Sequence, residues 1–354
     1  GEIVYCKIRP ALRKLALAPC DGLCSADMYP VAPRNHADVR FLFFEMLSEG
    51  FSRYSVLESD RVAMPKINRD ALGECPFVFP ELSRQEAIAS FLDRKTAAID
   101  ALIAKKERLT ELLQEKRQAL ITQAVTKGLD PKVTMKDSGS VWLGKIPAHW
   151  KKVPLGYLCR IYNGSTPSRE EPEYWTDGAI PWLTSGKVHE GRIEGADEYV
   201  TERALRECHL PMVPAGSVLV AITGEGKTRG TVALLPARAT TSQHIAAITP
   251  TGSVMPEFLW RYLSSLYRWL RFESSGGGST KAAITCEFLR TVPVVVPPLA
   301  EQVAICIKAN DRTVESDGLI RKSRAMVDLL REYRQALISA AVTGKIEIPA
   351  EEAA

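Results

Sequence analysis

Apolar side chains recur at alternating spacings of four and three residues along two long stretches, residues 82–127 and 299–344. The pattern consists of Ile88, Leu92, Ile99, Leu102, Leu109, Leu113 and Leu120 in the first stretch, and of Ile305, Ala309, Leu319, Met326, Leu330, Tyr333 and Leu337 in the second. A seam with a period of about 3.5 residues is typical of one helix of a coiled coil. An ordinary amphipathic surface helix is the weaker alternative, because globular helices average about three or four turns. We therefore predict two long helices that pair along this seam.

The two stretches are copies of one sequence unit. When the chain is shifted by 217 residues, 20 of 46 positions are identical, where shared composition would give roughly three. The similarity continues upstream, where Phe41, Leu42, Ile67, Leu72, Pro76, Val78 and Pro80 recur as Phe258, Leu259, Ile284, Leu289, Pro293, Val295 and Pro297. The repeated unit is therefore a globular domain followed by a long helix. Residues 141–214 have no counterpart, so we expect the first globular domain to lack roughly its front half.

The second globular domain contains short runs of β-branched and apolar residues that Gly and Pro residues bound. The predicted strands are 180–183, 217–222, 231–235, 245–249 and 292–296, with one amphipathic helix at 256–272. Strands with few helices and no regular β–α alternation are typical of a mixed, mainly antiparallel α+β domain. The predicted division is 1–80 for the first domain, 81–128 for the first helix, 129–140 for a linker, 141–297 for the second domain, 298–345 for the second helix and 346–354 for a tail.

Composition narrows the range of partners and compartments. A net charge of +4 and a pI near 8.5 are compatible with a nucleic-acid partner, but they are far from those of a purely electrostatic binder. The eight cysteines are scattered without a C-x-x-C pair, which predicts reduced thiols in a cytoplasmic protein and no metal site. No apolar run reaches the length of a membrane span. The sequence begins at Gly1 without Met or a signal-like segment, so we expect it to be truncated at this end.

Residues 221–228 fit a relaxed phosphate-loop pattern that ends in Gly226-Lys227-Thr228. A phosphate loop must open a helix, whereas residues 230–236 are β-branched and apolar and end in Pro236, which predicts a strand. The sequence also lacks a nuclease motif, the polar-Pro-Pro-aromatic loop of DNA methyltransferases and any nucleophile–histidine constellation. We therefore predict no catalytic residues, no cofactor and no enzymatic activity. The loop is expected to be a hairpin tip from which Lys227, Thr228 and Arg229 point outward.

The remaining candidate chemistry is recognition. Hydroxyls, amides, imidazoles and cations occur on predicted loops, where such groups contact phosphates and base edges, although ordinary loops contain them too. Candidates for phosphate contacts are Ser165, Thr166, Lys187, Lys227, Thr228, Arg229 and Lys281, and those for base contacts are Gln243 and His244. Their recurrence within one small domain predicts a nucleic-acid interface.

Several motifs resemble those of the DNA-specificity (S) subunit of type I restriction-modification enzymes, and the resemblance covers essentially the whole chain. The motifs are Trp142-Leu143-Gly144-x2-Pro147-x2-Trp150, Asn163-Gly164-Ser165-Thr166-Pro167-Ser168, Ile180-Pro181-Trp182-Leu183-Thr184-Ser185-Gly186, Pro297-Pro298-Leu299-x-Glu301-Gln302, and Arg117-Gln118-Ala119-Leu120-Ile121 repeated at 334–338. The resemblance implies an α+β fold with two target-recognition domains, of which the first is incomplete, separated by two long helices that form an antiparallel coiled coil.

The resemblance also implies a function and partners. Each recognition domain would recognise half of a split sequence in double-stranded DNA, and the helices would dock methyltransferase subunits, with two expected, and a restriction subunit. These partners would carry the cofactor-dependent chemistry, and no membrane would be involved. The alternative from a different class is a coiled-coil adaptor whose globular domains bind protein rather than DNA.

Overall fold

The structure is a computed structural model that describes residues 1–34, 36–59, 64–224, 226–275 and 282–348. Its strands are β1 (Ile3–Cys6), β2 (Leu15–Leu17), β3 (Met28–Val31), β4 (Met135–Asp137), β5 (Lys145–Pro147), β6 (Lys151–Pro154), β7 (Cys159–Asn163), β8 (Ile180–Leu183), β9 (Glu198–Val200), β10 (Ser217–Ala221), β11 (Val232–Leu235), β12 (Thr240–Thr241), β13 (Ile245–Pro250) and β14 (Pro293–Val296). Its α-helices are α1 (Val39–Leu47), α2 (Glu49–Leu57), α3 (Arg69–Gly73), α4 (Leu82–Lys127), α5 (Leu155–Leu158), α6 (Glu202–Glu207), α7 (Pro256–Ser265), α8 (Tyr267–Glu273), α9 (Cys286–Thr291) and α10 (Leu299–Val342). Within the described ranges, no helix has both the length and the apolar character that crossing a membrane requires.

The chain divides into two compact units. The first contains Gly1–Leu113 and Gly318–Ala354, and the second contains Gln114–Asp317. Helices α4 and α10 each contribute a segment to both units, so the boundaries fall within the helices rather than at their ends. The functional division of the sequence into six segments remains a prediction.

Both units contain the same antiparallel core of three strands. The strand order is β2-β1-β3 in the first unit and β11-β10-β13 in the second, where β7 adds a fourth strand beside β13. The strands of the two cores have the same register, with β1 and β10 aligned at an offset of 215 residues and the other two strands at 217. Ile3 pairs with Leu17 and Val31 in the first unit, and Val218 pairs with Leu234 and Ile248 in the second.

The second unit adds further strands and helices to this core. The smaller sheets are β12-β8-β9, β14-β6 and β4-β5, and only the β12–β8 pair is parallel among the described strands. Helix α7 covers the main sheet because Phe258, Leu259, Tyr262 and Leu263 form one fully buried apolar face. The mixed, mainly antiparallel α+β fold that the sequence predicts is therefore confirmed.

The two long helices are also confirmed, with 46 residues in α4 and 44 in α10. Their contacts show antiparallel pairing, because the residue numbers of the contacts decrease along α10 as they increase along α4. In the first unit the contacts are Asp100 with Arg334 at 2.9 Å, Glu107 with Arg331 at 2.8 Å and Thr110 with Ser323 at 3.1 Å. In the second unit Arg117 forms an ion pair with Asp317.

Burial identifies the residues that form the helix seam. Heptad positions a and d are buried or half-buried at Leu92, Thr96, Ile99, Ile103, Lys106, Thr110, Leu113 and Arg117 on α4, and at Ala309, Thr313, Ser316, Ile320, Ser323, Val327, Leu330, Arg334 and Leu337 on α10. The seam is therefore partly polar, and the hydroxyls of Thr110 and Ser323 meet within it.

Five of the predicted seam residues do not lie in the seam. Leu102, Leu109, Leu319, Met326 and Tyr333 are 41%, 43%, 48%, 44% and 58% exposed. They occupy position g, which immediately precedes a, so the row of g residues repeats with the same seven-residue period as the row of a residues. Apolar periodicity favoured the leucines at g, whereas packing places threonine, isoleucine, valine and arginine at a.

A buried glutamine joins the first globular domain to α4. Gln85 lies on the first turn of the helix and is 1% exposed. Its amide nitrogen donates to the carbonyl oxygens of His36 at 3.0 Å and Pro80 at 2.8 Å. Its amide oxygen accepts from the main-chain N–H of Asp38 at 2.8 Å. One side chain thus ties the helix start to two segments of the domain.

The second unit repeats this glutamine clamp 217 residues later. Gln302 is fully buried and donates to the carbonyl oxygens of Ser253 at 3.3 Å and Pro297 at 2.9 Å. Its amide oxygen accepts from the N–H of Met255 at 2.8 Å. Because all partners are main-chain groups that are otherwise left unsatisfied, the clamp is costly to remove.

We predict that Gln302→Ala lowers the free energy of unfolding by about 1–3 kcal/mol, because it leaves a buried N–H and two carbonyls without partners. Thermal and urea unfolding of the full chain measure the change. The control is Gln114→Ala, which removes an exposed glutamine from α4 and should leave stability nearly unchanged. Equal stability of the two variants would contradict a structural role for the clamp.

Glu45 is a half-buried acidic residue of the first unit. It lies on α1 at the repeat position of Tyr262, whose hydroxyl donates to the carbonyl oxygen of Pro293 at 2.8 Å. Among the described residues, Oε2 of Glu45 is buried without a hydrogen-bond partner. Desolvation by burial raises the pKa of Glu45 from its ordinary value of 4.5 to about 7.

This pKa shift makes the stability of the first unit depend on pH. Between pH 4.5 and 7 the native state binds more protons at Glu45 than the unfolded chain does, so stability falls as pH rises and the loss is complete above pH 7. Glu45→Gln lacks this titration and should be more stable than wild type at pH 8 but not at pH 4.5. Denaturant unfolding across this range tests it, with the exposed Glu86→Gln as control; parallel pH profiles for wild type and Glu45→Gln would be the contrary result.

Candidate nucleic-acid interface

One edge of the main sheet of the second unit collects most of the polar residues singled out in the sequence. Because the strands run antiparallel, the ends of β7 and β10 and the starts of β11 and β13 lie at the same edge. The polar rim, as we name this edge, consists of residues 164–166, Thr223, residues 226–229 and residues 241–244.

Close backbone approach fixes two of the rim loops against each other. Ser165 donates its N–H to the carbonyl oxygen of Thr241 at 3.0 Å, and Gly164 donates to that of Ile245 at 3.4 Å. A Cβ atom at Gly164 would clash with the main-chain carbonyl of Thr241. Glycine is therefore required here, and its small size brings the hydroxyls of residues 165–166 to the segment that bears the predicted base contacts.

Two side-chain pairs project from the rim. The hydroxyl of Thr166 donates to the amide oxygen of Gln243. The hydroxyl of Thr223 and Nδ1 of His244 are 3.0 Å apart, and the carbonyl oxygen of His244 accepts from the N–H of Ile222 at 2.9 Å. Gln243 and His244 are both exposed. The amide nitrogen of Gln243 and the imidazole of His244 can therefore reach a ligand while the threonines orient the two side chains.

Lys227 and Thr228 lie on the loop after β10. Lys227 is exposed, and the hydroxyl of Tyr267 on α8 donates to its carbonyl oxygen at 2.9 Å. Thr228 is half-buried, and its carbonyl oxygen accepts from the N–H of Thr231 at 3.0 Å. The main chain of the loop is thus anchored, and the ammonium group of Lys227 remains available to an anion.

Arg229 does not point outward as predicted. Its side chain is 5% exposed, and its guanidinium donates to the hydroxyls of Ser274 at 2.5 Å and Ser275 at 3.2 Å, just after α8. Burial and the neighbouring Arg271 lower the pKa of Arg229. A cation at the carboxyl end of a helix is favourable, so this position stabilises the loop rather than presenting a charge to a ligand.

Lys187 is held by two acidic residues. Its ammonium nitrogen lies 2.7 Å from a carboxylate oxygen of Glu190 and 2.9 Å from one of Asp197, and its side chain is 17% exposed. These partners, Glu190 first, raise the pKa of Lys187. A phosphate would have to compete with both carboxylates for this cation. Lys281, the other lysine predicted from a loop, lies outside the described residues.

An aromatic support for the rim was missed as a site in the sequence. The guanidinium carbon of Arg169 lies 3.8 Å from the ring centroid of Trp175, and Arg169 also pairs with Glu198 at 2.8 Å. The indole nitrogens of Trp175 and Trp182 donate to the carbonyl oxygens of Ser168 and Ser165 at 2.8 and 3.1 Å. The two tryptophans thus fix the turn that follows β7, and their proximity to one arginine was the signal available in the sequence.

The chemical groups at the rim are hydrogen-bonding groups, and its glycine-rich loop differs from a phosphate loop. The glycine-rich loop leads into strand β11 and not into a helix, so it lacks the helix N-terminus that a phosphate loop uses. Within the described ranges, no group of three or more His, Cys, Asp or Glu residues is arranged to hold a metal ion. Hydroxyls, an amide, an imidazole and one exposed lysine are suited to hydrogen bonds with phosphates and base edges.

Residues 147–309, which include the whole rim, match the family model described as type I restriction modification DNA specificity domain. This part of the chain is therefore a type I restriction-modification DNA-specificity domain. The matched region contains most of the second globular domain and the start of α10.

Similar proteins match different shares of the chain. The specificity subunit of the type I restriction enzyme EcoDI from Escherichia coli is 34% identical over 124 residues, 35% of this chain and 28% of that protein. The MjaIX specificity subunit from Methanocaldococcus jannaschii is 30% identical over 195 residues, 54% of this chain and 43% of that protein. The chain thus matches less than half the length of each of these relatives.

A solved structure is similar over nearly the whole chain. A chain from a structural study of complex assembly and conformational transition in a type I restriction-modification system has a TM-score of 0.71 and 21% identity. The similarity covers 98% of this chain and 82% of that chain. It supports a fold of mixed α+β domains combined with long helices.

We predict that Arg229→Gln destabilises the second unit by about 1.5–3 kcal/mol, because it removes charged hydrogen bonds to two serine hydroxyls. Lys227→Gln is the matched control, since this lysine is exposed and should contribute little to stability. Differential scanning calorimetry of the full chain measures both variants. An equally small effect of both substitutions would mean that burial of Arg229 contributes nothing to the loop.

Proposed function

We propose that this chain is a non-catalytic subunit that recognises a bipartite sequence in double-stranded DNA and holds the enzymes that act on it. The observation that carries the proposal is the polar rim, where Thr166 orients Gln243 and Thr223 orients His244 inside the matched specificity domain. The proposed compartment is the cytoplasm, and all eight cysteines are free thiols in the structure.

The rim separates the two kinds of contact that specific DNA binding needs. Lys227 and the hydroxyls of Ser165 and Thr228 supply phosphate contacts, which give affinity without sequence information, whereas the one hydroxyl proton of Thr166 is already donated to Gln243. An exposed amide such as Gln243 can form two hydrogen bonds with adenine, and the imidazole of His244 can bond a base edge. Arg229 and Lys187 are assigned supporting roles, because one is buried against serines and the other is paired with carboxylates.

The repeat supports recognition of two half-sites. Both units contain the same strand core and the same glutamine clamp, so each would hold a recognition surface at the equivalent sheet edge. In the first unit this edge has Lys7, Arg9 and Lys14 and, at the positions of Gln243 and His244, Ala26 and Asp27. Because these side chains differ, the two half-sites should differ in sequence.

The paired helices of the first unit present two distinct sides to partner subunits. Glu107 and Arg331 form an ion pair at the e positions, whereas the g positions form an exposed apolar row. This apolar row consists of Leu102, Leu109, Leu319, Met326 and Tyr333, which are 41–58% exposed. In an antiparallel pair the g residues of both helices lie on the same side of the seam. We assign this row to the docking of methyltransferase and restriction subunits, with two methyltransferase subunits expected.

We predict that two rim variants affect DNA binding in different ways. Lys227→Ala should weaken binding to target and scrambled duplexes equally, because it removes one phosphate contact. For the same reason the slope of log K against log salt concentration should become shallower by about one. Gln243→Ala should instead reduce discrimination at one position by about 1–3 kcal/mol. Filter binding at several salt concentrations, with the methyltransferase subunit present, measures both effects.

The target duplex for this experiment follows from methylated positions in the source genome. These roles would be contradicted if Gln243→Ala lowered the affinity for the target and scrambled duplexes equally while Lys227→Ala changed the preferred base. Absence of any duplex binding by the wild-type complex would favour the adaptor alternative, in which the globular domains bind protein.

We predict that Leu109→Ser combined with Met326→Ser reduces co-purification of the methyltransferase subunit at least tenfold, because it removes apolar docking area from the row. Circular dichroism should show unchanged helix content, since both residues lie outside the seam. The control is Val314→Ser, which changes a residue that is 70% exposed and lies outside the row. Loss of partner binding in the control, or none in the double variant, would exclude the apolar row as the docking site.

A further inference from the structure

An apolar groove of about 870 Å³ lies beside β3 in the first unit. Its walls are β3, α1, α3 and the extended segment 75–79. The apolar residues that line it include Val31, Leu42, Met46, Leu72, Phe77 and Phe79. Val31, Leu72 and Phe77 are only half-buried and Phe79 is 41% exposed, so this part of the core is open to solvent.

The repeat shows how the same surface is covered in the second unit. The counterparts of Val31, Leu42, Met46, Leu72 and Phe77 are Ile248, Leu259, Leu263, Leu289 and Val294, and all five are fully buried. They share one core cluster with Leu155, Leu158 and Ile161. These three residues belong to the continuous segment β6–α5–β7, Lys151–Asn163. The segment therefore fills, in the second unit, the space that is a groove in the first.

Backbone pairing leads to the same comparison. In the second unit β7 pairs antiparallel with β13, and β6 pairs antiparallel with β14. In the first unit β3, the counterpart of β13, is an edge strand, and residues 76–79, the counterpart of β14, are extended without a strand partner in the described chain. Two unpaired backbone edges thus flank one apolar groove, and strand addition to such edges is a common mode of recognition.

We propose that the groove of the first unit binds a strand–helix–strand segment of the β6–α5–β7 type, the front part of a recognition domain. The occupant would add one strand to β3 and one to residues 76–79, and its apolar residues would cover Leu42, Leu72 and Phe77. Pro30 stands where the second unit has Ala247 and has no N–H to donate. The apolar contacts therefore supply most of the affinity. This inference is independent of the proposed DNA contacts.

The test uses the full chain with a copy of its own Lys151–Asn163 fused ahead of Gly1. A flexible linker of about 20 Gly and Ser residues spans roughly 25 Å, enough to let the copy reach the groove. Hydrogen exchange measured by mass spectrometry reports on residues 28–31 and 76–79. We expect exchange there to slow at least tenfold relative to a control fusion in which the copy carries Leu155→Asp, Leu158→Asp and Ile161→Asp.

Equal exchange in the two fusions would overturn the proposal. Concentration-dependent protection of residues 28–31 in the unfused chain, together with a dimer mass by light scattering, would also overturn it, because a second copy would then be the occupant. Unchanged protection of β1 and α1 in the first unit, and of β10 and β13 in the second, verifies that each fusion is folded. If a fusion fails this check, the free peptide Lys151–Asn163 and its triple-Asp form are titrated into the wild-type chain, with the same tenfold difference expected and its absence decisive against the groove.

Discussion

A single buried amide at the first turn of each long helix fixes how a globular domain meets its helix. Gln85 and Gln302 each make three hydrogen bonds to main-chain groups on two segments of the adjoining domain. Without the amide, those groups would be buried and unsatisfied, which costs more free energy than an ordinary hydrogen bond contributes. The direction in which the strands and the rim project from the helix depends on this junction. The same junction occurs in both units, at Gln85 and at Gln302.

The periodic and repeated features of the fold could be predicted from the sequence, because they depend on the local pattern of residues. Helices α4 and α10 follow from apolar spacing, and the common strand core follows from the repeat that aligns Val31 with Ile248. The seam register could not be obtained in this way. Rows at a and g have the same period, and the choice between them depends on contacts such as Thr110 with Ser323, residues that are far apart in the chain.

Some features of the candidate site could also be predicted from the sequence, and others could not. Glycine and hydroxyl residues near Ser165 and the exposed pair Gln243–His244 lie together because antiparallel strands return loops to one edge. Arg229 and Lys187 were assigned by residue type, but burial and counter-charge decide what a cation does. Serines 45 and 46 positions away bind Arg229, and Asp197 binds Lys187. Loop composition alone carries no information about such partners.

The glutamine clamp has a consequence for how such a protein changes over evolutionary time. Every partner of Gln85 and Gln302 is a peptide N–H or carbonyl, groups that remain whatever side chain occupies the position. The domain surface can therefore mutate, or be exchanged by recombination for another domain with the same backbone path, while the junction keeps its hydrogen bonds. Loops such as residues 241–244 can then change in sequence while the helices and their junctions with the domains stay the same.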